Sequence, residues 1–267
     1  MHSNMTTSIS THEIKRIAQE AGKAILEIYQ KDFKIEYKND NSPLTEADTK
    51  SNQIICTMLE KLYPNIPILS EENKTIEFNE RKNWEYYWCI DPIDGTKEFI
   101  KKNDEFTVNI ALIHNKTPVL GVVYAPAIEK MYIAKQGEGA FLNGEKIPLT
   151  HTKNEFTVVA SKSHLSVETQ SFINDLKIKY PNLCADSKGS SLKLCMVAEG
   201  KADIYPRISP TMEWDTAAAH AIVLEAGKNV YKYDDKIPAL EYLQKNKNAI
   251  PMVYNKENLL NPYFVVV

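Results

Sequence analysis

Apolar positions along this chain change their period more than once, and each change marks a different kind of element. Ser10 and Glu13 stand at capping-box spacing, and Ile14, Ile17, Ala18, Ala21, Ile25, Ile28 and Tyr29 follow at helical intervals, which predicts an amphipathic opening helix. Residues 34–43 are polar and read as a mobile loop. A second helix begins at Thr45 or Asp48, turns Ile54, Ile55, Met58, Leu59 and Leu62 inward, and stops at Pro64. Two short apolar runs come next. Residues 66–69 hand over to Ser70-Glu71-Glu72, and Trp88-Cys89-Ile90 hands over to Asp91-Pro92-Ile93-Asp94-Gly95-Thr96. Both read as buried strands that deliver carboxylates at their own ends.

Residues 106–113, 119–124 and 130–134, and a piece turning at Asn143-Gly144, predict an antiparallel meander. Beyond residue 150 the order becomes strand (156–160), helix (167–180), a short strand near Leu183, helix (190–199), strand (202–205) and helix (212–226). Asp215 falls in the first turn of that last helix and Gly227 at its C-terminal cap. The chain therefore reads as two pseudo-domains, an α+β half over 1–154 and an α/β half over 155–267. There is no internal repeat.

Composition narrows this picture only slightly. The 267 residues are 43% hydrophobic and 25% charged, the balance of a globular protein, and suffice for one large core or two moderate ones. A net charge of −3 makes no electrostatic case for nucleic acid. An anionic ligand must then be held by local groups. Cys56, Cys89, Cys184 and Cys195 show no metal-ligand spacing and read as small core residues in a reducing compartment. Residues 1–10 lack an apolar signal region, and no run approaches about 18 apolar residues, so a cytosolic setting is expected.

The acids carry the chemistry. Glu71, Asp91, Asp94 and Asp215, with Asp48 as an outlying fifth, would repel one another and desolvate poorly unless a hard cation neutralised them, which points to oxygen-liganded Mg²⁺. Taken singly, Asp91 reads as a turn residue, Asp215 as a helix cap, and Asp48 as a helix-start acid. Glu72 offers an alternative register to Glu71. Gly95 lets a phosphate oxygen approach the backbone, with the amides of Gly95 and Thr96 as donors at a helix start.

Three ordered motifs, Ser70-Glu71-Glu72, Asp91 through Thr96 and Glu213 through Ala218, resemble the magnesium-dependent, lithium-sensitive phosphatases that include inositol monophosphatase, over nearly the whole chain. Within that superfamily, Lys97-Glu98-Phe99, Gly189 through Lys193 and Leu260 through Phe264 look like the CysQ-type 3′(2′),5′-bisphosphate nucleotidases. The resemblance implies a layered αβαβα sandwich and two or three Mg²⁺ ions held by Glu71, Asp91, the Ile93 carbonyl, Asp94 and Asp215, with Asp91 shared. It implies an Asp48–Thr96 dyad that activates water, with Glu71 beside the water's ion. It also implies nucleotide contacts from His164, Ser190, Lys193 and Arg207, in addition to Gly95, Thr96 and Asp215. Lys162 stands where relatives often have arginine. The activity implied is hydrolysis of adenosine 3′,5′-bisphosphate, extending to its sulfated form, to recycle a by-product of sulfate assimilation. No obligatory protein partner is implied. Some bacterial relatives sit at the inner membrane, but no basic amphipathic segment here argues for peripheral association. The rival readings are an inositol or sugar monophosphatase, a non-catalytic metal or nucleotide sensor, and a structural partner protein.

Overall fold

The computed structural model describes residues 8–39, 43–149, 155–160, 166–244 and 248–267. Helix α1 (Thr11–Tyr29) starts where the Ser10 hydroxyl accepts from the Glu13 amide. A hairpin of β1 (Ile35–Tyr37) and β2 (Pro43–Thr45) leads to α2 (Glu46–Leu62), capped by Thr45. Next come β3 (Ile68–Ser70), the short α3 (Phe78–Arg81), β4 (Tyr86–Asp94) and α4 (Thr96–Ile100). The meander is β5 (Thr107–His114), β6 (Thr117–Ala125), β7 (Lys130–Lys135), β8 (Gly139–Leu142) and β9 (Glu145–Ile147). The rest alternates: β10 (Thr157–Ala160), α5 (Val167–Lys179), β11 (Cys184–Ser187), α6 (Leu192–Glu199), β12 (Tyr205–Arg207), α7 (Glu213–Glu225), β13 (Val230–Lys232), α8 (Ala239–Tyr242) and β14 (Phe264–Val266).

Strands β3 to β9 form one seven-stranded sheet in chain order, antiparallel except where β3 runs parallel to β4. Alternation along β4 explains the layering. Trp88 and Ile90 pack with Ile14, Ile17, Ile55 and Leu59 of α1 and α2, whereas Tyr87 and Cys89 pack with Leu194, Cys195, Ala217 and Ala218 of α6 and α7. A strand covered on both faces reads as a continuous apolar run. Beyond α6 and α7 lie the parallel pair β10–β11 and the antiparallel sheet β12–β14–β13. There Val159, Tyr205 and Phe264 join the cluster around α7, while Val158, Ile204 and Val265 join the one containing Phe172 of α5 and Tyr242 of α8. The order is αβαβα. Helix α7, enclosed between sheets, is buried all round over 216–223. Its approach needs Gly121, where a Cβ would come 2.1 Å from the Ala218 carbonyl oxygen.

The differences from the sequence reading have simple causes. Part of the polar stretch 34–43 pairs, Ile35 opposite Thr45 and Tyr37 opposite Pro43, but β1 is exposed throughout and leaves no burial period to read. Leu62, expected inside, is 37% exposed in the last turn of α2. The strand near Leu183 lies at Cys184–Ser187 and is largely exposed. Of the cysteines expected in the core, Cys89 and Cys195 are buried, whereas Cys184 is exposed on that strand. The helix expected from Ser190 starts at Leu192, leaving Ser190 at φ 49° in the preceding turn. No described helix is long and apolar enough to cross a membrane.

Candidate active site

The parallel register of β3 and β4, Ser70 opposite Ile90, places Glu71 level with Asp91, and the Glu71 amide donates to the Ile90 carbonyl at 3.2 Å. Asp91 and Asp94 are three apart, which in a regular strand would put them on opposite faces. Their partners Asn109 and Thr107 are only two apart, so a bulge over Pro92-Ile93 absorbs one residue and returns Asp94 to the face of Asp91. Asp215 arrives from the other direction, in the first turn of α7, with its Oδ2 accepting from the Met212 amide at 2.7 Å. One carboxylate oxygen from each of Glu71, Asp91 and Asp215 lies within 4.8 Å of the others. Asp94 and Asp215 both face a cavity of about 560 Å³.

This concentration of charge is costly without a counter-ion. Burial, then Glu71, Asp94 and Asp215, push the Asp91 carboxyl well above its ordinary range. Burial and Asp94 do the same to Asp215. Burial raises Asp94 to about 7 although Lys193 works in the opposite direction. Oxygen-only donors, several of them charged and too close to ionise together, are what a hard divalent cation requires. The residues therefore fit a metal centre. Lys38 supplies a protein cation at its edge, donating to Glu71 Oε1 at 2.8 Å and Glu72 Oε1 at 2.6 Å. Burial works against its charge, but Glu71 and Glu72 outweigh it and raise its pKa, while burial moves Glu72 up to about 6. Glu72 is thus occupied by Lys38.

Asp48 divides its two oxygens between two tasks. Its Oδ2 accepts from the Thr45 amide at 2.8 Å and from the Thr45 hydroxyl at 2.6 Å, closing the cap of α2. Its Oδ1 accepts from the Thr96 hydroxyl at 3.1 Å. The helix-cap and dyad readings are therefore compatible. Thr96 opens α4 just after Gly95, whose φ of 92° and close neighbours, Glu105 O at 3.1 Å and Ser190 Cβ at 3.3 Å from a Cβ built there, exclude a side chain.

The same cavity also carries cations beside these acids. Lys193 is buried and donates to the carbonyls of Ser190 (2.9 Å) and Lys188 (3.0 Å), and burial lowers its pKa to about 8 against the pull of Asp94. Arg207 reaches the Pro210 carbonyl at 3.1 Å through Nη2, yet among the described residues its buried Nε has no partner, and neither has the buried Ser190 Oγ. Both residues line the cavity. Two unspent hydrogen-bonding atoms beside a buried ammonium suit an anionic oxygen.

Of the predicted residues, Glu71, Asp91 and Asp215 meet as one cluster, Asp48 pairs with Thr96, and Asp94, Gly95, Ser190, Lys193, Arg207 and Asp215 line the cavity. Ile93 carries the carbonyl that Thr96 also reaches, at 3.3 Å. His164 and Lys162 lie outside the described residues. Sequence reasoning missed Lys38, which sits in a featureless polar run. It also missed Glu213, a buried acid whose carboxylate takes the amides of Asn255 (2.8 Å) and Lys256 (3.0 Å) and so anchors the start of α7.

Comparison with known proteins gives a consistent picture. The inositol monophosphatase family profile matches residues 7–261. The chain is 42% identical over 258 residues to the 3′(2′),5′-bisphosphate nucleotidase CysQ of Salmonella typhimurium, covering 95% of this chain and 98% of that protein. It is 40% identical over 259 residues to the corresponding protein of Escherichia coli K12, with the same coverage. Among solved structures, CysQ from Bacteroides thetaiotaomicron is 43% identical, with a TM-score of 0.83 over 96% of both chains. An inositol monophosphatase from Anabaena, 23% identical, shares the fold with a TM-score of 0.73 over 99% of this chain and 92% of that one.

Proposed function

The chain belongs to the inositol monophosphatase family, and from that premise we propose that it is a phosphomonoesterase removing the 3′ phosphate from adenosine 3′,5′-bisphosphate to give AMP and phosphate. The sulfated counterpart, which would yield adenosine 5′-phosphosulfate, falls within the same reading. The supporting observation is one cavity whose wall carries Asp94, Gly95 and Asp215, which adjoin the carboxylate cluster and the Asp48–Thr96 pair, together with Lys193, Arg207 and Ser190. A substrate with one phosphate to lose and one to keep matches both groups.

Glu71, Asp91, Asp94, Asp215 and the Ile93 carbonyl would hold two or three Mg²⁺. When bound, these ions supply neutralisation of the carboxylates and stabilise charge on the attacking and departing oxygens. The protein's own groups do the rest. Because the Thr96 hydroxyl gives its hydrogen to Asp48, its oxygen can receive a proton from water as that water's oxygen bonds to phosphorus and the P–O ester bond breaks, the departing 3′ oxygen taking a proton from solvent. Burial raises the Asp48 pKa and so makes it a better base. The Gly95 and Thr96 amides orient the scissile phosphate, and Lys193 and Arg207 hold the retained one. His164 completes the nucleotide contacts in this reading.

Steady-state phosphate release with Mg²⁺ on adenosine 3′,5′-bisphosphate and on inositol monophosphate tests it. A higher kcat/KM on the nucleotide is expected. Preference for the inositol ester would overturn the substrate and leave the acid cluster standing, and no release from either would favour a binding protein built on this scaffold.

A further inference from the structure

Three polar side chains with almost no solvent exposure close a hydrogen-bonded ring beside the acid cluster: Thr107, Asn109 and Ser191. Ser191 Oγ donates to Asn109 Oδ1 at 2.8 Å, Asn109 Nδ2 donates to Thr107 Oγ1 at 3.0 Å, and Thr107 Oγ1 and Ser191 Oγ lie 2.8 Å apart. With those two donations made, the Thr107 hydrogen is left for Ser191, so each hydroxyl gives once and every member is satisfied. Such a ring has one arrangement, which suits it to fixing a backbone rather than merely filling space.

Its position gives it consequences. Asn109 is the cross-strand partner of Asp91, and Thr107 that of Asp94, so both lie on the face that carries the acids. Ser191 stands at the N-cap of α6, and through the ring its hydroxyl meets Thr107, the cross-strand partner of Asp94. Immediately before Ser191 stands Ser190, and two residues after it Lys193, both lining the cavity. Ser191 therefore adjoins both the acids and the cations.

We propose that the ring couples the two groups: Thr107 and Asn109 are positioning residues that lock Ser191, so that a phosphate held at Ser190 and Lys193 and the orientation of Asp94 toward a cation stabilise each other. Coupling of this kind is reciprocal, so nucleotide should tighten Mg²⁺ by the factor by which Mg²⁺ tightens nucleotide. The inference rests on the substrate reading for its choice of probe, AMP, which carries the 5′ phosphate and nothing to hydrolyse.

Calorimetric titration of Mg²⁺ into the full-length protein, with and without saturating AMP, tests it in the wild type, Thr107→Val and Ser191→Ala. Valine matches threonine in shape, and alanine at 191 removes only the hydroxyl that enters the ring. In the wild type AMP should lower the Mg²⁺ Kd about fivefold or more. In both variants the factor should fall to within about twofold of unity with Mg²⁺ affinity in the absence of AMP little changed, while the melting temperature falls by several degrees because a buried partner is left unpaired. Two results would overturn the coupling alone: wild-type coupling retained in the variants, or a loss confined to melting temperature. Failure of AMP to bind the wild type would overturn the substrate reading and the coupling together.

Discussion

The acidic and the cationic groups at the cavity solve opposite electrostatic problems. In the acidic group Glu71, Asp91 and Asp215 converge, and Lys38 is bonded there to Glu71 and to the neighbouring Glu72. In the cationic group Lys193 is buried beside Asp94 and Arg207, with carbonyls rather than carboxylates as its hydrogen-bond partners. Charge density that the chain cannot neutralise marks where a mobile cation must come. Unspent donors beside a buried ammonium suit an anion, which in the proposed reading is the phosphate that is kept. The first group should govern turnover and the second affinity.

Substitutions can break that division. Asp91→Asn should reduce kcat by at least ~10²–10³-fold, the scale of losing one electrostatic stabiliser, with little unfolding because it also removes like-charge repulsion. Phosphate release and thermal melts check this, and Mg²⁺ should raise the melting temperature of the wild type far more than that of the variant. Thr96→Val should lower kcat by about 10²-fold, the lower range for losing general-base assistance, with KM nearly unchanged. A change confined to KM would erase the distinction between the groups. Lys193→Met should do the reverse, raising KM for the bisphosphate about tenfold or more with kcat within a few-fold. The increase should shrink on adenosine 3′-monophosphate, which lacks the retained phosphate.

His220 supplies a control away from both groups. It is buried against the sheet with Nδ1 2.9 Å from the Tyr254 hydroxyl, and burial lowers its pKa from 6.5 to about 3. The unfolded chain therefore binds a proton below pH 6.5 that the folded chain refuses. Its contribution to stability is full above that value and is lost as pH falls toward 3. Urea unfolding should show about 2 kcal/mol of loss from this group between pH 7 and pH 5, absent in His220→Phe, with kcat at pH 7 little affected.

How much of this was readable depended on whether a residue's neighbours in space are also its neighbours along the chain. Asp91, Asp94 and Gly95 were legible because strand, bulge and helix start are contiguous. Thr107 and Asn109 left a signal, two polar residues at period two inside an apolar strand, which points to a buried polar face. Lys38 left none, since a lysine in a polar run is indistinguishable from a solvated one. Ser190 was placed on a helix that begins two residues later, because Ser191 rather than Ser190 serves as the cap.

By itself the sequence determined the kinds of element, the acids at strand ends and the family, because periodicity and local turn chemistry are written in consecutive residues. Tertiary structure alone decided that Glu71, Asp91 and Asp215, far apart along the chain, share one small volume, that Asp48 and Asp215 each lend one oxygen to a helix cap, and that Ser191 joins the two groups. The reason is that packing of α7 against the sheet containing β4 sets distances no local pattern encodes, and the raised pKa values of Asp91, Asp94 and Asp215 follow from burial and those distances.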